Sequence, residues 1–97
     1  KHMKKYEMLY ILDNAIADEA KEAIIAKFEQ LVKDNGGVVE GSDKWGAKKL
    51  AYLINDKPEG YYVLLTFESE PSFIKELDRV AGITENVMRR LVTVRNA

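Results

Sequence analysis

No cysteine occurs anywhere in the 97 residues. That excludes disulfide frameworks, thiolate nucleophiles, and zinc or iron–sulfur centres held by Cys, and it fits a reducing cytoplasm. Histidine is almost as scarce, with His2 the single example. Lys1 and His2 precede Met3 and read as the remnant of a cleaved expression tag, which leaves residues 3–97 as one domain without an imidazole for metal or proton chemistry. No apolar run approaches the roughly 20 residues of a membrane-spanning helix, so no membrane partner is expected. Neither sign of charge dominates: 15 Lys plus Arg stand against 16 Asp plus Glu, for a net charge of −1. Bulk charge therefore nominates no nucleic-acid partner. A chain of this length buries roughly two-thirds of its unfolded surface on folding, enough for one core without staples.

What is present is a clear alternation of elements. Lys4 to Leu12 is rich in aromatic and aliphatic residues over strand length and is punctuated by Asp13 and Asn14. A helix is predicted from Asp18 to Asp34, with Asp13, Asn14 or Asp18 as its N-cap; Ala20, Ile24, Phe28 and Leu31 form its apolar stripe, and Lys21 falls outside it. Asn35, Gly36 and Gly37 stop it. Val38 to Ile54 is too long for one regular strand, and Gly41 and Gly46 suggest bulges in a ribbon. Residues 55–60 read as a turn, Tyr61 to Glu68 as a strand, and the segment after Ser72 as a second helix buried through Phe73, Leu77 and Val80 and ended by Gly82. Val87 to Val94 is the last strand. The order strand, helix, strand, strand, helix, strand predicts an α+β ferredoxin-like βαββαβ domain. Its antiparallel four-stranded sheet has strand order 4-1-3-2, with two helices on one face.

Little in this pattern supports an enzyme. A His–carboxylate couple, a Gly-x-Ser-x-Gly elbow, a Walker loop and a paired metal-ligand motif are all missing, so catalytic residues, metal ligands, cofactor and small-molecule substrate are each expected to be none. Two weak signals point to RNA. Residues 9–14 resemble the shorter signature of the RNA-recognition motif, and residues 60–67 are a near miss to the longer one; on that reading Tyr10 and Tyr61 or Tyr62 would be stacking platforms. A small-molecule regulatory domain of the same topology is a further alternative. Charge is also segregated. Residues 13–34 hold six acidic and three basic side chains, and residues 59–78 hold five acidic and one basic. Positive charge is left in strand-associated stretches: Lys4 and Lys5; Lys44, Lys48 and Lys49; Arg89, Arg90 and Arg95.

The segment 45–54, Trp-Gly-Ala-Lys-Lys-Leu-Ala-Tyr-Leu-Ile, is more specific. It resembles the hallmark of the bacterial ribosomal protein S-six family, the sixth protein of the small subunit, whose pattern there is Trp-Gly, basic residues, then Leu-Ala-Tyr-x-Ile. Further landmarks follow in the family's order: Tyr6-Glu7, Gly36-Gly37, Gly60-Tyr61-Tyr62, Glu76-Leu77-Asp78 and Val87-Met88-Arg89. The resemblance implies a structural RNA-binding protein of the cytoplasmic ribosome. It would bind the central domain of 16S ribosomal RNA together with ribosomal protein S-eighteen as heterodimer partner, and be monomeric when isolated. Carried over by position, it implies RNA contacts from Lys4, Lys5, Tyr6, Lys48, Lys49, Arg89 and Arg90, and a surface for the protein partner at Trp45 and Tyr52. Two departures stand out: Ala15 occupies a loop position where the family often has Pro, and Lys48 and Lys49 stand where it commonly has Arg. Lysine offers a point charge without the planar fork of arginine.

Overall fold

Strand β1 (Lys4–Asp13) alternates strictly, with Tyr6, Met8, Tyr10 and Leu12 buried and the residues between them only partly covered. Such a period of two buries one face of a sheet and leaves the other for something else. The computed structural model describes residues 3–54 and 57–95, and the side chains of all of these except 51–54. Its elements run β1, α1 (Asp18–Asp34), β2 (Val38–Ile54), β3 (Lys57–Ser69), α2 (Phe73–Ile83) and β4 (Val87–Val94). The sheet order is β2-β3-β1-β4, with every pairing antiparallel, so the two most apolar strands are central as the sequence predicts.

Both helices pack on one face. Ile24, Ile25, Phe28 and Val32 of α1 and Phe73, Leu77, Val80 and Ala81 of α2 meet Tyr6, Met8, Tyr10 and Leu12 of β1 and Val63, Leu65 and Phe67 of β3. Aromatic rings join the layers edge to face: Tyr10 meets Phe28 at 5.0 Å between centroids, and Phe67 meets Phe73 at 6.3 Å.

The helix ends depart from the sequence reading in instructive ways. Ala17, not Asp13, Asn14 or Asp18, is the N-cap of α1, and no side chain caps it. Asp13 is engaged elsewhere, accepting a hydrogen bond from the Ala15 N–H at 2.9 Å. Asp18 and Glu19 compensate from the first turn, where negative charge meets the positive end of the helix dipole. Lys21 is buried, although the stripe excluded it. Its stem lies along the sheet while its ammonium sits 4.9 Å from the centre of the Tyr61 ring and 3.5 Å from Asp18. Helix α2 continues one residue past Gly82, to Ile83.

Strand β2 is the 17-residue ribbon that the sequence suggested. Its pairing with β3 shifts between Val39 and Gly41, between Lys44 and Gly46, and between Lys49 and Ile54. Gly46 takes φ +87°, a conformation that glycine adopts without penalty. Strand β3 starts earlier than predicted, at Lys57, and so takes in most of the expected turn. Pairing with β1 ends at Asp13 opposite Gly60, so the β2–β3 hairpin runs on beyond the rest of the sheet as a two-stranded arm.

Candidate interface on the open sheet face

The face of the sheet turned away from the helices is built from the residues that alternate with the core. Reading across β4, β1, β3 and β2, one row is Leu91, Leu9, Leu64 and Asp43, and the next is Arg89, Ile11, Tyr62 and Trp45 beside the bulge at Gly46. Six of these eight are apolar or aromatic, and Leu91 and Trp45 are 60% and 44% exposed. A contiguous apolar band on an exposed surface marks an interaction site more often than a stability device. The band is organised. Trp45 stacks nearly parallel to Tyr62, with centroids 6.4 Å apart, and its indole N–H donates to Asp43 Oδ2 at 3.2 Å. Lys48 holds its ammonium 5.7 Å from the indole centre. Gly60 closes the band toward the hairpin arm: it is buried, and a Cβ there would overlap Ile11 Cγ2.

Beyond the apolar rows the face becomes polar. Arg95, at the end of β4, reaches over the sheet to Glu40 Oε1 at 2.7 Å and to Glu7 at 3.8 Å, tying both edges together at that end. The depression of about 370 Å³ over Glu40, Gly41, Ser42, Asp43 and Thr66 is open and acid-lined.

The predicted basic residues fall into two groups. Lys5 stands at one end of β1, and Lys48 pairs with Gly60, opposite the other end of that strand. Eight residue steps separate the two ends, about 27 Å at strand rise. Lys4 and Lys5 thus form one group, and Lys48 and Lys49 of the arm, with Arg89 on the near row, form the other. Lys48 and Lys49 point to opposite sides of the ribbon, as adjacent strand residues must. Among the described residues Lys4, Lys5, Lys48 and Lys49 carry no ion pair. Several other cations are engaged: Lys44 with Glu22 at 2.6 Å, Lys57 with Asp13 at 3.7 Å, and Arg79 with Glu76 at 2.8 Å. The Glu22 carboxylate raises the Lys44 ammonium above the ordinary lysine range, and Arg79 lowers Glu76.

Two of the predicted RNA contacts are placed differently. Tyr6 is a core residue, its ring stacked on Phe67 at 5.7 Å between centroids, because its position in β1 is on the helix-covered face. Arg90 also turns to the helix side, where its guanidinium donates to Asp78 Oδ1 at 3.0 Å and lies against Gly82. The stacking platforms of an RNA-recognition motif are likewise not assembled on the open face. Tyr10 is fully buried and Tyr61 lies under Lys21, which leaves Tyr62 alone of the three. Trp45 is on the open face; the side chain of Tyr52 lies outside the described residues. Sequence reasoning missed Leu9, Ile11, Leu64 and Leu91 as surface groups. Their apolar character reads as core unless the uncovered face of the sheet is known.

Comparison with known proteins adds the family. A model of the family described as ribosomal protein S6 matches residues 5–94. Small ribosomal subunit protein bS6 of Thermoanaerobacter pseudethanolicus is 46% identical over 90 residues, covering 93% of this chain and 95% of its own. Its counterpart in Clostridium novyi is 48% identical with the same coverages. A crystal structure of 30S ribosomal protein S6 from Thermotoga maritima superposes with a TM-score of 0.91 at 21% identity, covering 97% of this chain and 89% of that one; this likeness concerns the fold.

Proposed function

Since the chain belongs to the ribosomal protein S6 family and is thereby a protein of the small subunit of the cytoplasmic ribosome, we propose that it is a structural constituent there, without catalysis, and binds the central domain of 16S ribosomal RNA together with ribosomal protein S-eighteen. The observation that carries this reading is the open sheet face, an apolar and aromatic band with Lys48 and Arg89 at its border. The two halves of that description suit two partners. Leu9, Ile11, Leu64 and Leu91, continued by the Trp45–Tyr62 pair, suit a folded protein surface, since a row of aliphatic side chains is covered best by apolar groups of a protein partner. Lys48, Lys49 and Arg89 suit phosphates, where positive charge releases condensed counterions and gives affinity without base readout. Lys4 and Lys5, about 27 Å away along the strand, would meet a separate stretch of RNA backbone.

Because Lys48 and Arg89 border the apolar band, a protein seated on it would share its rim with the RNA. Coupled binding of the three components follows from that arrangement. The test is separation of the two activities by mutation. Leu91→Asp with Trp45→Ala should abolish association with the S-eighteen protein in isothermal titration while leaving the melting transition cooperative. Lys48→Ala with Lys49→Ala should leave that association intact and weaken only the RNA complex. Loss of the S-eighteen association in the lysine pair would overturn the division of the surface. Undiminished RNA and protein binding in both double variants would overturn the proposal itself.

A further inference from the structure

The two edges of the sheet are treated differently. Strand β2 is guarded, with three pairing irregularities along its length and Lys44, Lys48 and Lys49 on it, devices that discourage another strand from adding on. Strand β4 lacks them. Its pairing with β1 is regular from Arg89 to Val94, the irregularity lying at Ile11 and Leu12, and residues 91–94 read Leu-Val-Thr-Val without a charge, a proline or a glycine. Leu91 is 60% exposed and Val94 57% exposed.

The phase of its hydrogen bonds is set by the Arg95 N–H, which donates to the Lys5 carbonyl at 2.9 Å. Hydrogen-bonded pairs alternate along an antiparallel ladder, so Arg89, Leu91 and Thr93 bond to β1, whereas Arg90, Val92 and Val94 direct their N–H and C=O groups outward. The one charge on that outward set, Arg90, is folded back onto Asp78 at 3.0 Å and does not guard the edge.

We propose that the outer edge of β4 pairs antiparallel with β4 of a second copy of this chain, joining two sheets into one of eight strands. Self-complementarity favours a second copy over another strand. With the two-fold axis at Leu91, Arg90 stands opposite the second copy's Val92 and Arg89 opposite its Thr93, so no like charges face each other. The same register continues the apolar row Leu64, Leu9 and Leu91 into its symmetry mate and covers the exposed Leu91. A net charge of −1 adds little repulsion between copies. This inference rests on the sheet edge and not on the ribosomal reading. Two edge strands bury little surface, so association is weak, with a dissociation constant between roughly 10 µM and 1 mM, and the dilute chain is a monomer.

The test is sedimentation velocity together with amide NMR spectra of the full chain from roughly 10 µM to 1 mM, a range that brackets weak association. Dimer formation is expected, with concentration-dependent shifts concentrated at the Arg90, Val92 and Val94 amides and absent from β2. Val94→Pro removes an outward donor without breaking the β1 ladder, and Leu91→Lys places two charges at the axis; each should weaken association at least about ten-fold. Thermal melts establish that each variant folds, and if Val94→Pro does not, Leu91→Lys decides. Spectra independent of concentration, shifts centred on β2 or on Trp45, or a dimer that survives Leu91→Lys in folded protein would each overturn the inference.

Discussion

Tyr10 carries the least comfortable polar atom among the described residues. Its ring is fully buried against Phe28, and its hydroxyl has no hydrogen-bond partner there. Burial first, then the charges of Glu29 and Glu22 and the nearby Tyr61, push its ionisation well above the ordinary phenol range. An unpartnered buried hydroxyl costs free energy that a hydrogen in its place would not, so Tyr10→Phe should raise stability by about 1 kcal/mol in urea denaturation. The sign with pH follows from linkage. A raised folded-state pKa leaves stability intact below the unfolded value of 10.0 and erodes it as pH rises beyond that. The wild type should lose about 1.4 kcal/mol per pH unit more than Tyr10→Phe in that range, measured by denaturant midpoints above pH 10. Gly60 is a second residue with a definite cost. Adding a methyl group drives it into Ile11, and Gly60→Ala should destabilise by about 1–3 kcal/mol, with Ile11→Ala in the same chain relieving part of the loss. Neither feature was legible in the sequence. A tyrosine in a strand looks the same whether or not its hydroxyl is satisfied, and Lys21 was misplaced because charge alone does not reveal a snorkelling stem.

At the level of elements, legibility tracked periodicity. The two-residue alternation of β1 and the helical stripe of α2 gave strands and helices in their right places, because each buries one face against a single core. Boundaries governed by a turn or a cap came out less well. Strand β3 begins at Lys57 and carries Pro58, which is compatible with a strand there because no β1 residue lies opposite that stretch to lose a ladder bond. The bulges of β2 were legible through Gly41 and Gly46. The conformation at Gly46 gives that reading a test: at φ +87°, Gly46→Ala should cost about 1–2 kcal/mol in thermal unfolding and shift the register of Trp45 relative to Tyr62, seen as a change in indole fluorescence. An unchanged spectrum would mean that the bulge does not set the aromatic pair. Helix α1 is joined to this ribbon by Lys44 to Glu22 at 2.6 Å and Ser42 to Glu29 at 2.5 Å, contacts that pin the guarded edge of the sheet to the helix layer.

At the scale of the whole molecule, the topology and the family were both readable from ordered landmarks, above all the segment 45–54. The surface was readable only in part. Lys48 and Arg89 lie on the open face toward its arm end and Lys49 points to the other side of the ribbon, whereas Tyr6 and Arg90 are turned to the helix side by strand alternation that position alone does not show. The apolar band was hidden because leucine and isoleucine in a strand are assigned to the core by default. On the proposed function, this face and its cationic border bind RNA and a protein partner together. Fluorescence anisotropy of a labelled central-domain 16S RNA fragment tests it most directly, titrated with this chain, with the S-eighteen protein, and with both. Binding should be weak with either protein alone and tighten sharply with both. Rising salt should weaken the ternary complex, and the salt slope should fall by about two for the Lys48→Ala, Lys49→Ala double variant. Equal affinity for the RNA with and without the S-eighteen protein, or a salt slope unmoved by the loss of both lysines, would contradict the account.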